Sequence, residues 1–254
     1  MTKTIKSNEK SKWFHSDFKN DTVAVVLIAP GLNLLPSKMD SLAKFFASKK
    51  CDVLRISLGA NPEHWTEKFS DSYDAALEHA EIMQRPLYFL GFSLGALVGI
   101  HYIARHPYQQ FIKCALIAPA THTRAYTIIP ALLAKIFPKG SLPSLNLEKY
   151  RERSRTTLAE YKKMRTLQND IKITLKNNDM NIATLLITNP QDELVKSSDL
   201  VKFAGSNPMW NTLELTNKGS LLSKKYHHLI IDSDSIGAEE WEKLLQSLSN
   251  HFAL

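Results

Sequence analysis

Six apolar runs set the frame of this chain: Val23 to Pro30, Asp52 to Leu58, Leu87 to Phe92, Phe111 to Pro119, Ile182 to Pro190 and Thr212 to Thr216. Segments of helical periodicity lie between them. Strands that alternate with helices pair mostly in parallel, and a parallel sheet needs cover on both faces. The expected fold class is therefore α/β, a mostly parallel sheet flanked by helices.

Period and capping residues place the helices. Ser37 is positioned to cap a helix through Lys50 whose apolar face carries Met39, Leu42, Phe45 and Phe46, and others fit Asp71 to Gln84, Leu94 to His106, Ser197 to Ala204 and Ala238 to Phe252. The alternation stops between Thr121 and Met180. About sixty residues there exceed the usual length of a connection, which predicts an inserted helical cap over 121–180 on a core formed by 1–120 and 181–254. Its first part, Ile128 to Pro138, is apolar and bracketed by prolines. Its second, Arg155 to Lys176, repeats apolar residues at helical spacing through Leu158, Tyr161, Met164, Leu167, Ile171 and Leu175.

The most informative stretch is Leu87 to Gly99, a strand that runs directly into a helix with Ser93 at the junction, in the pattern Gly91-Phe92-Ser93-Leu94-Gly95. In this G-x-S-x-G elbow the turn is so tight that side chains two residues either side of the serine would collide, so glycine is the tolerated residue, and the strained turn lifts the hydroxyl clear of the sheet.

From about Val23 to Phe252 the chain resembles the α/β-hydrolase superfamily, especially its compact carboxylesterases and its monoacylglycerol lipase and lysophospholipase-like members. The resemblance implies a Ser-Asp-His triad in that chain order. The strand Ala183 to Thr188 is followed by Asn189-Pro190-Gln191-Asp192-Glu193-Leu194-Val195, similar to the family's strand, short turn and D-x-x-V, which makes Asp192 the expected acid. Glu193 and Asp199 are weaker substitutes. The base is expected after the strand Thr212 to Thr216, where two histidines adjoin in Tyr226-His227-His228-Leu229. The family pattern matches His227 better, and His228 is the alternative base. A neutral imidazole accepts the serine proton near pH 7 and returns it to the leaving group. The oxyanion hole is expected from the backbone N–H of Leu94 and of Leu32, the latter in Ala29-Pro30-Gly31-Leu32-Asn33. Pro30 stands where the family usually has histidine, which spares the donor and changes how that loop is braced.

The resemblance implies a serine hydrolase that cleaves a carboxylic ester of an acyl chain through an acyl-enzyme, with no cofactor and no metal. A thioesterase uses the same triad. A catalytically silent binding protein is the reading from another class, set against the presence of all three triad candidates. The expected partner is a small-molecule or lipid acyl ester. Ile128, Ile129, Ala131, Leu132, Leu133, Ile136 and Phe137 are expected to line an acyl pocket, and the second cap helix to meet an anionic head group.

Charge supports that last expectation. Of a net +7, much sits between Glu148 and Lys176, with nine Lys or Arg against four Asp or Glu, and more in Met1 to Lys12. Such a segment suits phosphates, acidic substrates or transient contact with an anionic membrane surface, or is simply a solvated helix face. No recognisable nucleic-acid module accompanies the basic balance. Cys51 and Cys114 offer neither a disulfide framework nor metal-ligand spacing, and Met1 to Lys12 lacks the apolar stretch of a secretory signal. Both point to a cytoplasmic setting. Pro86 to Ala104 is free of charge and long enough for a membrane span, but its three glycines and the elbow explain it better.

Overall fold

The computed structural model describes residues 10–17, 21–174, 180–217, 220 and 226–254. The lysines before residue 10, and Leu175 and Lys176 at the end of the expected cap helix, lie outside them.

A seven-stranded sheet forms the centre: β1 (Lys12–Phe14), β2 (Ala24–Ala29), β3 (Cys51–Arg55), β4 (Leu87–Phe92), β5 (Phe111–Ile117), β8 (Ala183–Thr188) and β9 (Trp210–Glu214). Across the sheet they run β1-β3-β2-β4-β5-β8-β9. Every pairing is parallel except β1 on β3. The six expected strands are present. The edge strand β1 was not foreseen, because three residues carry too little pattern to distinguish them from a loop.

The strands β2 and β4 are buried throughout, which explains their continuous apolar runs. Their side chains still alternate. Val25, Leu27 and Phe89 join a core that includes Trp65, Phe69, Ala96 and Leu97. Val26, Ile28 and Leu90 join the opposite core, with Leu42, Phe46, Leu244 and Phe252. The first group is covered by α2 (Trp65–Met83), α3 (Leu94–Arg105) and α6 (Ser197–Gly205), the second by α1 (Asp40–Ser48) and, after the short α7 (Ser233–Ile236), by α8 (Ala238–Phe252).

Two helix starts on the core, outside the insert, differ from expectation. Ser37 lies inside a 3₁₀ turn, Pro36–Met39, and α1 begins only at Asp40. The α2 helix begins six residues before Asp71, because Asn61 caps the 3₁₀ turn Pro62–His64 by accepting from the Glu63 N–H (3.2 Å), and the turn leads straight into Trp65. The uncharged run from Pro86 is one strand and a twelve-residue helix. Among the described residues no helix is long and apolar enough to cross a membrane.

Between β5 and β8 the chain forms α4 (Ile128–Leu133), a two-stranded ribbon of β6 (Ser141–Pro143) and β7 (Arg155–Thr157), and α5 (Leu158–Thr174). The ribbon corrects the expectation of an all-helical insert. The α5 helix starts at Leu158 rather than Arg155, because Thr157 and Glu160 form a reciprocal cap: the Thr157 N–H donates to Glu160 Oε2 (2.8 Å) and the Glu160 N–H to Thr157 Oγ1 (3.2 Å). Glu160 is fully buried and also receives both terminal nitrogens of Arg153, at 3.2 and 2.6 Å. Tyr161, Met164, Leu167 and Ile171 bury the inner face of α5 in the same core as α3.

Candidate active site

Three chain segments meet at the C-terminal end of the sheet. The first is the β4–α3 junction. Ser93 has φ 51° and ψ −111°, a conformation L residues adopt only where the surroundings impose it. The surroundings are tight: a Cβ at Gly91 would lie 2.5 Å from Ala96 Cα, and one at Gly95 only 2.3 Å from the carbonyl oxygen of Ala29. The two glycines thus let α3 start against the end of β2.

The second segment is the turn after β8. Asp192 is buried, and its Oδ1 accepts from the N–H groups of Leu194 (2.7 Å) and Val195 (2.8 Å). That pair of bonds is the physical content of D-x-x-V, since it fixes one carboxylate oxygen and aims the other. Arg124 Nε donates to the Asp192 carbonyl (2.8 Å), tying the start of the insert to this turn.

The third segment carries the two histidines, and here the expectation is corrected. The ring that meets the other two residues is that of His228, not His227. His228 Nδ1 donates to Asp192 Oδ2 (2.7 Å), and its Nε2 faces Ser93 Oγ at 2.8 Å. An ionised carboxylate can only accept, so the ring proton belongs on Nδ1 and Nε2 is left to accept from the serine hydroxyl. His227 is half-buried, with its Nδ1 3.4 Å from Asn217 Oδ1. The reason is a carboxylate that sequence reading had assigned to another role. Glu193 Oε2 accepts from the backbone N–H of both His227 (2.8 Å) and His228 (3.0 Å). With both amides turned one way, the adjoining side chains diverge, and the one next to the buried Leu229-Ile230-Ile231 run goes inward. That run was the available signal. Tyr126 in turn donates its hydroxyl to the Glu193 carbonyl.

Electrostatics favour a charged form at this ring. Burial works against the imidazolium of His228, but the Asp192 carboxylate beside it, as charge and as hydrogen-bond acceptor, and Glu193 behind it carry the His228 pKa above the ordinary imidazole value.

Leu94 is the first residue of α3, where a helix leaves its N–H groups unused by its own backbone. Leu32 lines the same cleft as Ser93 and His228. Its loop is braced in place of the family's histidine by two asparagines that sequence reading missed. Asn33, at φ 51°, donates from Nδ2 to Ser144 Oγ (2.9 Å) and the Arg153 carbonyl (2.9 Å), and accepts from the Arg153 N–H (2.9 Å). Asn146 Nδ2 donates to the carbonyls of Leu32 (2.9 Å) and Asn33 (3.1 Å). The positive φ of a non-glycine residue directly after Gly31-Leu32 is a feature asparagine tolerates.

The cleft over Ser93 is walled by Leu32, Phe92, Leu145, Tyr161, Met164 and Leu194, among others. This corrects the expected lining. Ile129, Leu132, Ile136 and Phe137 point outward and are more than half exposed, whereas Ala131 is buried. Among the described residues of the cleft wall there is no Asp, Glu, Lys or Arg. Four cations of the basic segment are turned elsewhere: Lys149 to Asp234, Arg153 to Glu160, Arg155 to Ser141 and Lys163 to Glu63.

The comparisons with known proteins agree with this architecture. The family model described as serine aminopeptidase, S33 matches residues 20–192. No curated protein matches the chain in sequence. Among solved structures, that of the metagenome-derived lipolytic enzymes LipS and LipT is similar with a TM-score of 0.70 at 18% identity, over 99% of this chain and 100% of that one. The monoacylglycerol lipase of Paleococcus ferrophilus gives 0.69 at 14% identity, over 95% and 98%. A soluble variant of monoglyceride lipase from Saccharomyces cerevisiae, in complex with a substrate analog, gives 0.70 at 12%, over 95% and 91%. At these identities the likeness is one of fold. With more than half its length matched by the family model, the chain belongs to the serine aminopeptidase, S33 family of α/β hydrolases.

Proposed function

We propose that the protein is a serine hydrolase for an uncharged acyl ester, with Ser93 as nucleophile, His228 as base and Asp192 as acid. The observation that carries this reading is the unbroken relay Ser93 Oγ to His228 Nε2, His228 Nδ1 to Asp192 Oδ2, at 2.8 and 2.7 Å. Ser93 Oγ attacks the ester carbonyl while its proton passes to His228 Nε2. Asp192 stabilises the imidazolium and holds the ring in one tautomer. The tetrahedral oxyanion is received by the N–H groups of Leu94 and Leu32. Collapse expels the alcohol, which takes the proton from His228, and water then attacks the acyl-enzyme by the same base.

The cleft wall chooses among substrates. An apolar lining with threonine, serine and asparagine side chains suits an acyl chain beside a hydroxyl-bearing head group, as in a monoacylglycerol. Among the described residues it holds no cation for a phosphorylated head group or a coenzyme A moiety, and no carboxylate for the ammonium of a peptide N-terminus. The insert over 121–180 acts as the cap, and its exposed Ile129, Leu132, Ile136 and Phe137 beside Lys135 and Lys139 suit transient contact with a lipid surface.

The test is a series of glyceryl, cholinephosphoryl and coenzyme A esters of one acyl chain, together with an aminoacyl anilide, on wild type and Ser93→Ala. The reading expects the glyceryl ester to be cleaved fastest by wild type and not measurably by the variant. Preference for either phosphorylated substrate, or for the anilide, would overturn the substrate class. Equal turnover by Ser93→Ala would overturn the nucleophile.

A further inference from the structure

We infer that the protein carries a second site, for a divalent transition metal such as zinc, formed by His15, Asp52 and His79 at the β1 edge of the sheet. No residue of this group lines the cleft over Ser93.

Three separate elements deliver the donors. Asp52 lies on β3, His79 on the last third of α2, and His15 directly after β1. The antiparallel register of β1 on β3 sets Phe14 against Val53, so the next pair along the ladder is His15 against Asp52. Alternation along β3 turns Asp52 to the same side as Leu54, the side covered by α2. The three ligand atoms all lie within 4.8 Å of one another.

The carboxylate is buried, at 6% exposure, and a buried charge requires partners. Its Oδ1 accepts from the Ser16 N–H (2.8 Å) and its Oδ2 from His79 Nε2 (2.7 Å). Those bonds account for Asp52 and His79, but not for His15. The His15 Nδ1 stops 3.6 Å from Asp52 Oδ1, beyond hydrogen-bond length, although its ring is aimed at the pair. It is held there by stacking on Trp13 (ring centroids 5.8 Å apart, planes 7° apart), and Trp13 also packs on His79 at 4.8 Å. An aromatic side chain thus orients two imidazoles toward one carboxylate oxygen pair.

Two imidazoles and one carboxylate form a donor set for zinc, copper or nickel rather than for calcium or magnesium, which take oxygen ligands. Thiolate is outside the set. Cys51 precedes Asp52 on the strand and faces the opposite core, and burial pushes its thiol up to about 12. Binding needs the Nε2 lone pair of His79, so that ring moves its proton to Nδ1 and the ion takes the proton's place between nitrogen and carboxylate. The more exposed His15 closes the remaining distance, and water completes a four-coordinate shell. The ion then clamps β1 and α2 to the same point on the sheet.

The experiment uses the untagged full chain after chelator treatment. Zinc uptake is measured by titration calorimetry and cobalt uptake by visible absorption, for wild type, His15→Ala and His79→Ala, each checked for folding by circular dichroism and ester hydrolysis. Expected are one ion per chain, visible bands of four-coordinate cobalt, and binding weakened in either variant by more than the roughly 10- to 100-fold that loss of an outer-shell partner costs. Hydrolysis should be unchanged. If His79→Ala fails to fold, His15→Ala decides, because its side chain is largely exposed. No uptake by wild type, or uptake undiminished in His15→Ala, would overturn the site.

Discussion

Two places in this molecule set a buried aspartate against imidazole, and they differ in what surrounds the carboxylate. At Asp192, one oxygen is filled by the Leu194 and Val195 amides and the other holds a single ring, whose far nitrogen rests on Ser93. At Asp52, each oxygen takes one donor, and a second ring waits 3.6 Å away with most of its surface in solvent. The first arrangement leaves one job for one ring, the passage of a proton along a fixed line. The second brings another imidazole close to a carboxylate that already holds one, a convergence of donors that an ion needs and a proton relay does not.

The largest effect that probes this contrast lies at the first site. Ser93→Ala and His228→Ala should each lower kcat by roughly 10⁴-fold or more, because the three groups act as a unit. His227→Ala should stay within a few-fold of wild type, and steady-state kinetics on a soluble ester checks all three. A His227→Ala as damaging as His228→Ala would break the comparison, since it would mean the relay runs through either ring. Next comes Glu193, a positioning residue that clamps both histidine amides. Glu193→Ala should cost up to about 100-fold in kcat with little change in KM, the scale of a small misplacement of a reacting group. Glu193→Gln keeps an acceptor oxygen and should restore most of the loss.

A smaller effect concerns pH. Only neutral His228 accepts the serine proton, so activity should fall on the acid side. The Asp192 and Glu193 charges that raise its pKa should place that fall above the ordinary imidazole value of about 6.5. In Glu193→Gln the loss of one negative charge should move the midpoint of kcat/KM against pH downward. An upward move would show that Glu193 acts on the ring by other means. The smallest effect is a predicted constancy: a chelator, or His15→Ala, should leave kcat/KM within error while changing metal uptake. Loss of hydrolysis on chelation would join the two sites and erase the distinction.

What could be read from sequence followed the reach of each constraint. The elbow was legible because its serine and both glycines fall within five consecutive residues, although only the clash that Gly91 answers, with Ala96, is local and the one at Gly95 comes from Ala29 at the end of β2. Asp192 was legible because its oxygen is satisfied two and three residues on. The choice between His227 and His228 was not, since it is made by a glutamate 34 and 35 positions away that bonds to backbone, and the Leu229-Ile230-Ile231 run that hints at the outcome follows both histidines. The apolar stretch after Ile128 was visible as apolar, but sequence has no sign for inward against outward on a helix of six residues. The β1 strand and its histidine gained meaning only from the register with β3.

The amides of Asn33 and Asn146 bear on how such a protein can be altered. They stitch the loop that follows β2 to the segment between β5 and β8, in both directions. Inserted segments invite exchange between relatives as a way to change specificity. Here the graft would carry off the donor that holds the Leu32 and Asn33 carbonyls. A chimera that retained every residue of the relay would still inherit a slack amide at Leu32 unless the new segment brought its own group to the place of Asn146. On the proposed mechanism, selectivity and rate would be inherited together.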